Sequence, residues 1–452
     1  MTTEKEYTQG NLSELSSLPV GRLLWQYSLP AVIGMLVMSL YNVVDRIFIG
    51  QGVGPDAITG LTLTFPVMNI TAALGVLIGA GASARISILL GAKDLRGAHL
   101  VLGNALSLLL LIMATYLPLF AIFLDDILTA FGADNESLPY AYCYMIWVLP
   151  GIALTNITFT FNNLMRASGY PRKAMITMII GAVLNVALDP LFIFTFDMGI
   201  KGAAIATDIS MLVSSVFVMS HFFDRRSNVR FRRGIYRLRA HVIGKMLYIG
   251  AAPSLVNAAS CAINVIINIS LARYGGNLAI AAAGIFTTYT SLICMTIVGI
   301  CQGMQPIVGY NFGAGNYHRL RKAFWLTTLV ASILTAAGAA GGMLVAEKIA
   351  RAFTTDSHLI EVTASALPLA MLVFLPVGFQ IVSTNFFMAI GSAGKSIFLS
   401  LIRQVIFLIP LLLVLPLSLG LKGIWLSFPA SDLLATLVTA CMILTQLRKY
   451  RN

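Results

Sequence analysis

The sequence predicts an all-α polytopic membrane protein with twelve transmembrane helices in two pseudo-symmetric six-helix lobes. Three observations predict it: an apolar composition, twelve apolar stretches of bilayer-spanning length, and an internal repeat. Of the 452 residues, 58% are hydrophobic and only 11% are charged, whereas soluble domains carry about 25% charged residues. A chain this apolar fits a bilayer better than water.

The apolar stretches are long enough to cross a membrane, because a spanning helix needs about 20 largely apolar residues. Their approximate bounds are 22–49, 57–80, 99–123, 138–162, 172–196, 202–222, 243–272, 279–303, 322–346, 360–387, 397–418 and 424–446. The first stretch follows a polar segment without a small-residue cleavage site. We therefore expect it to be a retained helix and not a signal peptide.

The net charge of +12 is explained by membrane topology. With both termini placed in the cytoplasm, all but six of the 30 Lys and Arg residues fall on the inner side. This bias is the positive-inside rule, so the basic charge gives no reason to expect a nucleic-acid partner. The five cysteines lie in apolar stretches without a metal-ligand spacing, which predicts neither a disulfide framework nor a zinc site.

An internal repeat divides the chain into two halves at an offset of about 222 residues, as parallel transporter repeats do. Four pairs of segments match in the same order: LPAVIG with APSLVN from Leu29 and Ala252, GAKD with GAGN from Gly91 and Gly313, RASGYPRKA with MAIGSAGKS from Arg166 and Met388, and GIKG with GLKG from Gly199 and Gly420. The repeat predicts a first lobe over 1–222, a cytoplasmic basic linker over 223–242 and a second lobe over 243–452. The linker's seven arginines fit a topological linker or an anionic-lipid site.

Polar oxygens recur at a similar depth in three apolar stretches of the first half. Asp45 lies in the first stretch, Asn185 and Asp189 in the fifth, and Thr207 in the sixth. Residues four apart share a helix face, and an intramembrane acid usually faces a bundle interior and serves function. We therefore predict a cation-coupling site made by these four residues.

Asp45 and Asp189 cannot both be ionised cheaply in a poorly solvated pocket. We expect one of them to hold a proton, or both to share a cation such as Na⁺, because carboxylate, amide and hydroxyl oxygens suit a hard cation. The alternative is that these groups only cross-link helices by hydrogen bonds. Asp208 faces about 100° away from Thr207 on an ideal helix, and Asp432 could neutralise Arg403, so both are possible supporting residues.

Candidate substrate-binding residues share helix faces with this site or lie near the inner end of the fourth stretch. They are Met38, Tyr41, Asn162, Asn163, Met178 and Met211. Flexible thioethers adapt to varied ligands, although methionine at helical spacing also serves packing. Pro30 interrupts the backbone bonding of the first helix and is our candidate hinge.

The whole chain resembles the multidrug and toxic compound extrusion (MATE) family, in particular its DinF-like bacterial branch. The segments that carry the resemblance are VDRIFIG, MRASGYPRKAM, NVALDPLFIF and QPIVGYNFGAGN. The resemblance implies two six-helix bundles in a V. It also implies H⁺ or Na⁺ binding by Asp45, Asn185, Asp189 and Thr207, with a backbone contact from Ala203. Acids that other branches use in the seventh and tenth helices are missing, which favours coupling in the first lobe.

These features predict an antiporter that exports amphipathic, often cationic compounds in exchange for H⁺ or Na⁺ by alternating access. We expect a monomer in the bacterial cytoplasmic (inner) membrane, with the lipid bilayer and small molecules as its partners and no cofactor. The alternative is a flippase for a lipid-linked or amphipathic metabolite, which would favour a cationic cavity; the membrane-embedded basic residues are few, essentially Arg403. An intramembrane enzyme is disfavoured because the five histidines fall outside the apolar stretches or at their ends.

Overall fold

The computed structural model describes residues 14–53, 55–130 and 138–450, and these residues form helices and their connections. The ends of the predicted lobes, 1–13 and 451–452, lie outside the described residues. In the first half the helices are α1 (Val20–Gly52), α2 (Pro55–Gly91), α3 (Leu95–Ile122), the short α4 (Leu124–Ala130), α5 (Leu138–Ala167), α6 (Pro171–Pro190) and α7 (Gly199–Phe223). In the second half they are α8 (Ala240–Gly313), α9 (Tyr317–Leu344), the short α10 (Ala346–Phe353), α11 (Ser357–Met371), α12 (Val377–Ala389), α13 (Ala393–Leu401), α14 (Ile409–Leu419) and α15 (Leu421–Arg448).

Twelve passes follow from these helices, which confirms the predicted fold class. Within the described ranges, ten helical segments are long and apolar enough to cross a membrane, and one of them, Ala393–Leu419, joins α13 to α14 through a π-helical turn. Another, α8, is 74 residues long and contains a non-helical residue at Gly276, with φ of 65° and ψ of −163°. Gly276 therefore separates two arms, 240–275 and 277–313. A further pass is made by α11 and α12 together.

The two halves share their turn geometry as well as their helix order. Left-handed backbone occurs at Lys93, Gly169 and Gly199 in the first half, and at Gly315, Gly391 and Gly420 in the second. These are the positions that the repeat pairs, and all of them lie at the ends of helices. Glycine adopts positive φ without a Cβ penalty, so the turns reverse the chain at the same places in both halves.

The halves meet across a pseudo-two-fold axis. Gln305 donates from Nε2 to Oγ of Ser83 at 3.1 Å, and the two residues are 222 positions apart, which is the repeat offset. Gly91 packs on the carbonyl of Tyr310, and Gly313 packs on the carbonyl of Ile88 in the reciprocal contact. Since a Cβ on either glycine would overlap that carbonyl, small residues permit the close approach of α2 and α8.

The inner ends of α1 and α8 pack into the opposite halves. Leu23 and Tyr27 of α1 lie in the core cluster that includes Phe324 of α9. Met246 of α8 lies in the core cluster of the first half, with Phe161 of α5. These crossed contacts close the end of the molecule that the charge bias predicts to be cytoplasmic.

The basic linker is held against the first half. Asn104 of α3 donates to the carbonyl of Ile235 at 3.2 Å and accepts from the backbone of Arg239 at 2.7 Å. Asn228 donates to the carbonyl of Ser168 at 2.9 Å, and Phe231 packs its ring on Phe161. The linker is thus an ordered cover on the inner ends of α3 and α5.

Replacing Gly313 with Ala should open the inner contact between the halves, because the added Cβ meets the backbone of Ile88 and not a movable side chain. Overpacking of this kind costs about 1–3 kcal/mol. In a variant without native cysteines, spin labels at positions 93 and 314 should report a longer distance in G313A. The matched control is G284A on the same helix, where a Cβ meets open space. An unchanged distance in G313A would show that this glycine does not set the closure.

Candidate ion-coupling and substrate site

Asn185 connects the predicted site residues on α6 and α7. Its Nδ2 donates to Oδ1 of Asp189 at 3.3 Å and to Oγ1 of Thr207 at 3.2 Å. Asn185 and Asp189 are fully buried. Asn185 Oδ1 and Asp189 Oδ2 receive no hydrogen bond from any residue that the structure describes. Two buried oxygens are therefore open to a proton or a hard cation.

Asp45 of α1 completes this group. Its carboxyl group lies close enough to that of Asp189 for the two to share a hydrogen bond. Two carboxyl groups can do so only when one of them carries a proton. The structure thus brings together the four side chains that the sequence predicted, with Ala203 fully buried one turn before Thr207 on α7.

Two tyrosines flank the acids. Tyr41, a predicted substrate residue, lies one turn before Asp45 and within electrostatic reach of Asp45 and Asp189. Tyr144 of α5 is 3% exposed and lies within reach of Asp45, Asp189 and Asp208. Sequence reasoning missed Tyr144, because nothing in the local pattern of α5 shows which face meets α1 and α6. A phenol can donate to a carboxylate, so Tyr144 is a further candidate of this site.

The backbone after Asp189 departs from α-helical geometry. Pro190 has no N–H to donate to the carbonyl one turn earlier, and residues Leu191–Thr195 form a π-helical turn. The carbonyl of Phe192 packs against Gly202 at the start of α7. Such turns inside membrane helices are tolerated where neighbours satisfy the backbone and often mark functional sites.

Asp208 lies apart from the Asn185 group. Its carboxyl group occupies the space above Gly151 of α5. Its Oδ1 has no hydrogen-bond partner within the described ranges. Asp208 therefore faces α5, while Thr207 faces α6.

A cavity lies inward of the acids, between α1, α5, α6, α7 and the second arm of α8. The lining residues are Met35, Met38, Thr155, Thr158, Phe159, Asn162, Arg166, Thr177, Met178, Gly181, Met211, Ser214 and Gln302. Four of the six predicted substrate residues are among them: Met38, Asn162, Met178 and Met211. Methionines and polar groups thus surround one space, as in a pocket for varied amphipathic ligands.

Two predicted substrate residues are absent from this lining. Tyr41 lies beside the acids, and Asn163 lies behind the wall, where it accepts from Arg166 and donates to the carbonyl of Phe159 at 2.9 Å. Pro30, the candidate hinge, lies within the continuous helix α1. One turn later Gly34 gives space to the thioether of Met178, so α1 and α6 contact directly at the cavity.

Arg166 corrects the expectation that Arg403 is the one clear basic residue embedded in the protein. Helix α5 continues to Ala167, beyond the predicted end at residue 162, and Arg166 is 4% exposed. It lies within the wall of the cavity. The sequence placed Arg166 in an inner connection because the predicted fourth stretch ended at residue 162.

In the second half Asp432 pairs with Arg403. Their Oδ1 and Nε atoms are 2.6 Å apart, and Asp432 is 3% exposed. Gln380 of α12 donates to the carbonyl of Asp432 at 2.7 Å, and Arg403 itself lies in a π-helical turn, Ile402–Leu408. Asp432 thus neutralises the partly buried Arg403, one of the two roles that the sequence left open for it.

These features define a polytopic α-helical membrane transporter: two related bundles with a cavity and a buried acidic cluster in the first. The MatE family model matches the chain twice, over residues 30–191 and 253–414. The chain therefore belongs to the multidrug and toxic compound extrusion (MATE) family. The two matches repeat the internal symmetry that the sequence predicted.

Individual relatives agree with this family. The multidrug export protein MepA of Staphylococcus aureus is 28% identical over 437 residues, which cover 96% of this chain and 95% of MepA. The FAD transporter of Shewanella oneidensis is 29% identical over 437 residues, 96% of each chain. The solved structure of the MATE multidrug transporter DinF-BH is 36% identical, with a TM-score of 0.87, and the match covers 95% of this chain and 96% of that one. The resemblance to the DinF-like branch is thereby confirmed.

Replacing Gly151 with Ala should displace Asp208 and destabilise the first half, because the new Cβ would overlap the carboxylate and lie 3.4 Å from Asp208 Cα. We expect a lower thermal midpoint in detergent, corresponding to about 1–3 kcal/mol. Part of this loss should be recovered in the double variant G151A/D208A. G284A, in open space, serves as the control. A wild-type midpoint for G151A would contradict the packing described for Asp208.

Replacing Asp432 with Asn should destabilise the protein more than removing the whole ion pair. The single variant leaves the partly buried Arg403 without its partner; breaking a fully buried pair costs about 3–5 kcal/mol, which is the upper limit here, whereas replacing both charges is often nearly neutral. We expect R403M/D432N to melt closer to the wild type than D432N does, as measured by thermal unfolding of the purified protein. A double variant no more stable than D432N would assign Asp432 a role other than neutralising Arg403.

Proposed function

We propose that the protein exports amphipathic, often cationic organic compounds in exchange for H⁺ or Na⁺ by alternating access. The coupling ion binds at Asp45, Asn185, Asp189 and Thr207, and the organic compound binds in the adjoining methionine-lined cavity. Family membership gives the transport function. The ion, the direction of exchange and the substrate class are the proposal.

The observation that carries the proposal is the hydrogen-bonded group around Asn185. Its amide holds Asp189 and Thr207 in place, and two buried oxygens remain without donors among the described residues. A carboxylate in a membrane core is costly unless it shares charge or a proton. H⁺ would neutralise the acid pair, and Na⁺ would take the same carboxylate, amide and hydroxyl oxygens as ligands, so both ions fit the donor set.

Helix α6 connects ion and substrate. Asn185 and Asp189 lie on its outer part, and Met178 and Gly181 line the cavity one to three turns inward. An ion that pulls Asp189 toward Asp45 therefore acts on the contact of α6 with α1, where Met178 fills the space above Gly34. An ion entering from outside would weaken substrate binding through this contact and leave on the inner side.

A flippase for a lipid-linked or amphipathic metabolite remains the second candidate. The structure supports the flippase more strongly than the sequence did, because Arg166 lies in the cavity wall and a buried cation suits a phosphate or carboxylate. The similarity to a FAD transporter also supports an anionic compound as cargo. In contrast, the pair of carboxyl groups of Asp45 and Asp189 in the first half favours ion-driven export.

Ion-driven dye transport in proteoliposomes tests the proposal. A pH gradient and a Na⁺ gradient are imposed separately, and uptake of ethidium is followed by fluorescence. We expect one gradient to drive uptake in the wild type. In D189N the uptake rate should fall at least tenfold, because an amide at this position neither takes up a proton nor carries a charge that binds Na⁺. The matched control D197N, in the exposed turn after α6, keeps a left-handed backbone that Asn tolerates.

Each result has a distinct meaning. Full transport by D189N would make Asp189 structural and overturn the ion site. No uptake of any organic cation by the wild type under either gradient would overturn the antiporter and favour the flippase. Loss in D197N as large as in D189N would show a general effect of acid removal at this end of α6.

A further inference from the structure

Arg166 is a buried cation without an acid beside it. It is 4% exposed and borders the cavity of the first half. The two ion pairs of the described residues are Arg351–Glu347 and Arg403–Asp432, and neither includes Arg166. Its hydrogen bond within the described structure runs from Nη2 to Oδ1 of Asn163, at 2.5 Å. A guanidinium carries five N–H donors, so most of the donors of Arg166 remain available to a ligand.

Other polar groups in the same wall are also left open. Oγ1 of Thr158 and Oε1 of Gln302 are buried and have no hydrogen-bond partner among the residues that the structure describes. Thr158 lies on the face of α5 that carries Asn162 and Arg166, since these residues are four apart. Asn162 is fixed by its donation to the carbonyl of Ala174 at 2.7 Å. The hydroxyl of Thr158 can donate, whereas Oε1 of Gln302 can only accept, so the inner wall offers the donors of Arg166 and Thr158 beside one open acceptor.

The carboxylates of the ion site do not satisfy Arg166. Asp189 lies twelve residues after Thr177, a residue of the cavity wall that Arg166 shares, which corresponds to about 18 Å along α6 at 1.5 Å per residue. That separation is several times the length of a salt bridge. The first half therefore carries positive charge at the inner end of its cavity and negative charge outward of it.

We propose that the inner end of this cavity is an anion subsite: Arg166, with Thr158, binds the carboxylate or phosphate group of an amphipathic substrate whose apolar body lies among Met38, Met178 and Met211. This rests on the proposed function and specifies its substrates. Zwitterionic amphiphiles fit the cavity best, because their cationic group can point outward to the acids. Purely cationic compounds lose the contact and meet an unfavourable charge.

A purely structural role for Arg166 makes a different prediction. Arg166 lies in the last turn of α5, where a cation is favoured by the helix dipole, and Asn163 accepts one of its bonds. If this were its whole role, replacing it would change the binding of all ligands alike. The test therefore compares two ligands that differ only in an anionic group.

Rhodamine B carries a free carboxylate, and its ethyl ester carries none. Binding of both dyes to the purified full-length protein in phosphatidylcholine nanodiscs is measured by fluorescence anisotropy, without any ion gradient. We expect the ratio of the ester's Kd to that of rhodamine B to fall about tenfold or more in R166Q, since charge-assisted hydrogen bonds are strong. R172Q, which replaces an exposed arginine at the start of α6, should keep the wild-type ratio.

Each outcome decides for or against the subsite. An unchanged ratio in R166Q, or equal weakening of both dyes, overturns the anion subsite. If R166Q does not fold, R166K decides, because the ammonium keeps the charge but not the bidentate geometry; the ratio should fall by a smaller factor, and an unchanged ratio again overturns the subsite. If phosphatidylglycerol in the nanodiscs abolishes rhodamine B binding to the wild type but does not change binding to R166Q, the subsite binds a lipid headgroup instead.

This readout does not depend on the antiporter. If no gradient drives transport but the ratio changes in R166Q, the proposed function fails and the subsite stands. If ion-driven transport is lost in D189N but the ratio is insensitive to Arg166, the proposed function stands and the subsite fails.

Discussion

The cost of holding charge away from water determines how this protein is organised. A carboxylate in the membrane core needs a proton, a cation or several donors, and the fixed donor to Asp189 among the described residues is the amide of Asn185. The elements around it follow from this constraint. Helix α1 brings the second carboxyl group of Asp45, α7 brings the hydroxyl of Thr207, and α5 brings the phenol of Tyr144. The backbone beyond Asp189 leaves regular α-helical geometry after Pro190 and forms a π-helical turn.

The two halves share their turns and helix order but differ in their buried charged residues. The repeat fixes the turns at Gly169 and Gly391 and the contact between Ser83 and Gln305 on the axis. The chemistry does not repeat. In the second half Asp432 and Arg403 neutralise one another, which leaves no net charge on this pair for an ion to balance. In the first half no ion pair of the described residues joins Arg166 to the acids, so under the proposed function each end binds its own mobile partner.

The sequence predicted what depends on spacing along one helix. Asn185 and Asp189 four residues apart, and Thr207 at a matching depth on the next helix, were enough to predict a shared site. Tyr144, Gly151 and Arg166 could not be predicted, because their roles depend on which faces of α5 meet α1, α6 and α7. Arg166 was also missed because the predicted helix ended before it. Hydropathy falls at residue 162, but the helix continues inward to Ala167. The packing of α1 and α8 into the opposite halves could not be predicted either, because apolar residues occur on every face of these helices.

Direct electrostatics is too weak to couple the two ends of the first half. Two unit charges about 18 Å apart interact by about 1 kcal/mol at an effective dielectric constant of 20, whereas switching a two-state equilibrium almost completely needs about 5.5 kcal/mol. The remainder has to come from a change in packing. The contact that can supply it is Met178 above Gly34, because it lies between the ion site and the cavity and joins α6 to the helix that contains Pro30. Neutralising Asp189 would alter the position of α6 against α1, and the inner end of α1 is packed in the second half through Leu23 and Tyr27. Under the proposed function, a local change of charge in one bundle would thereby reach the contact between the two bundles through packing.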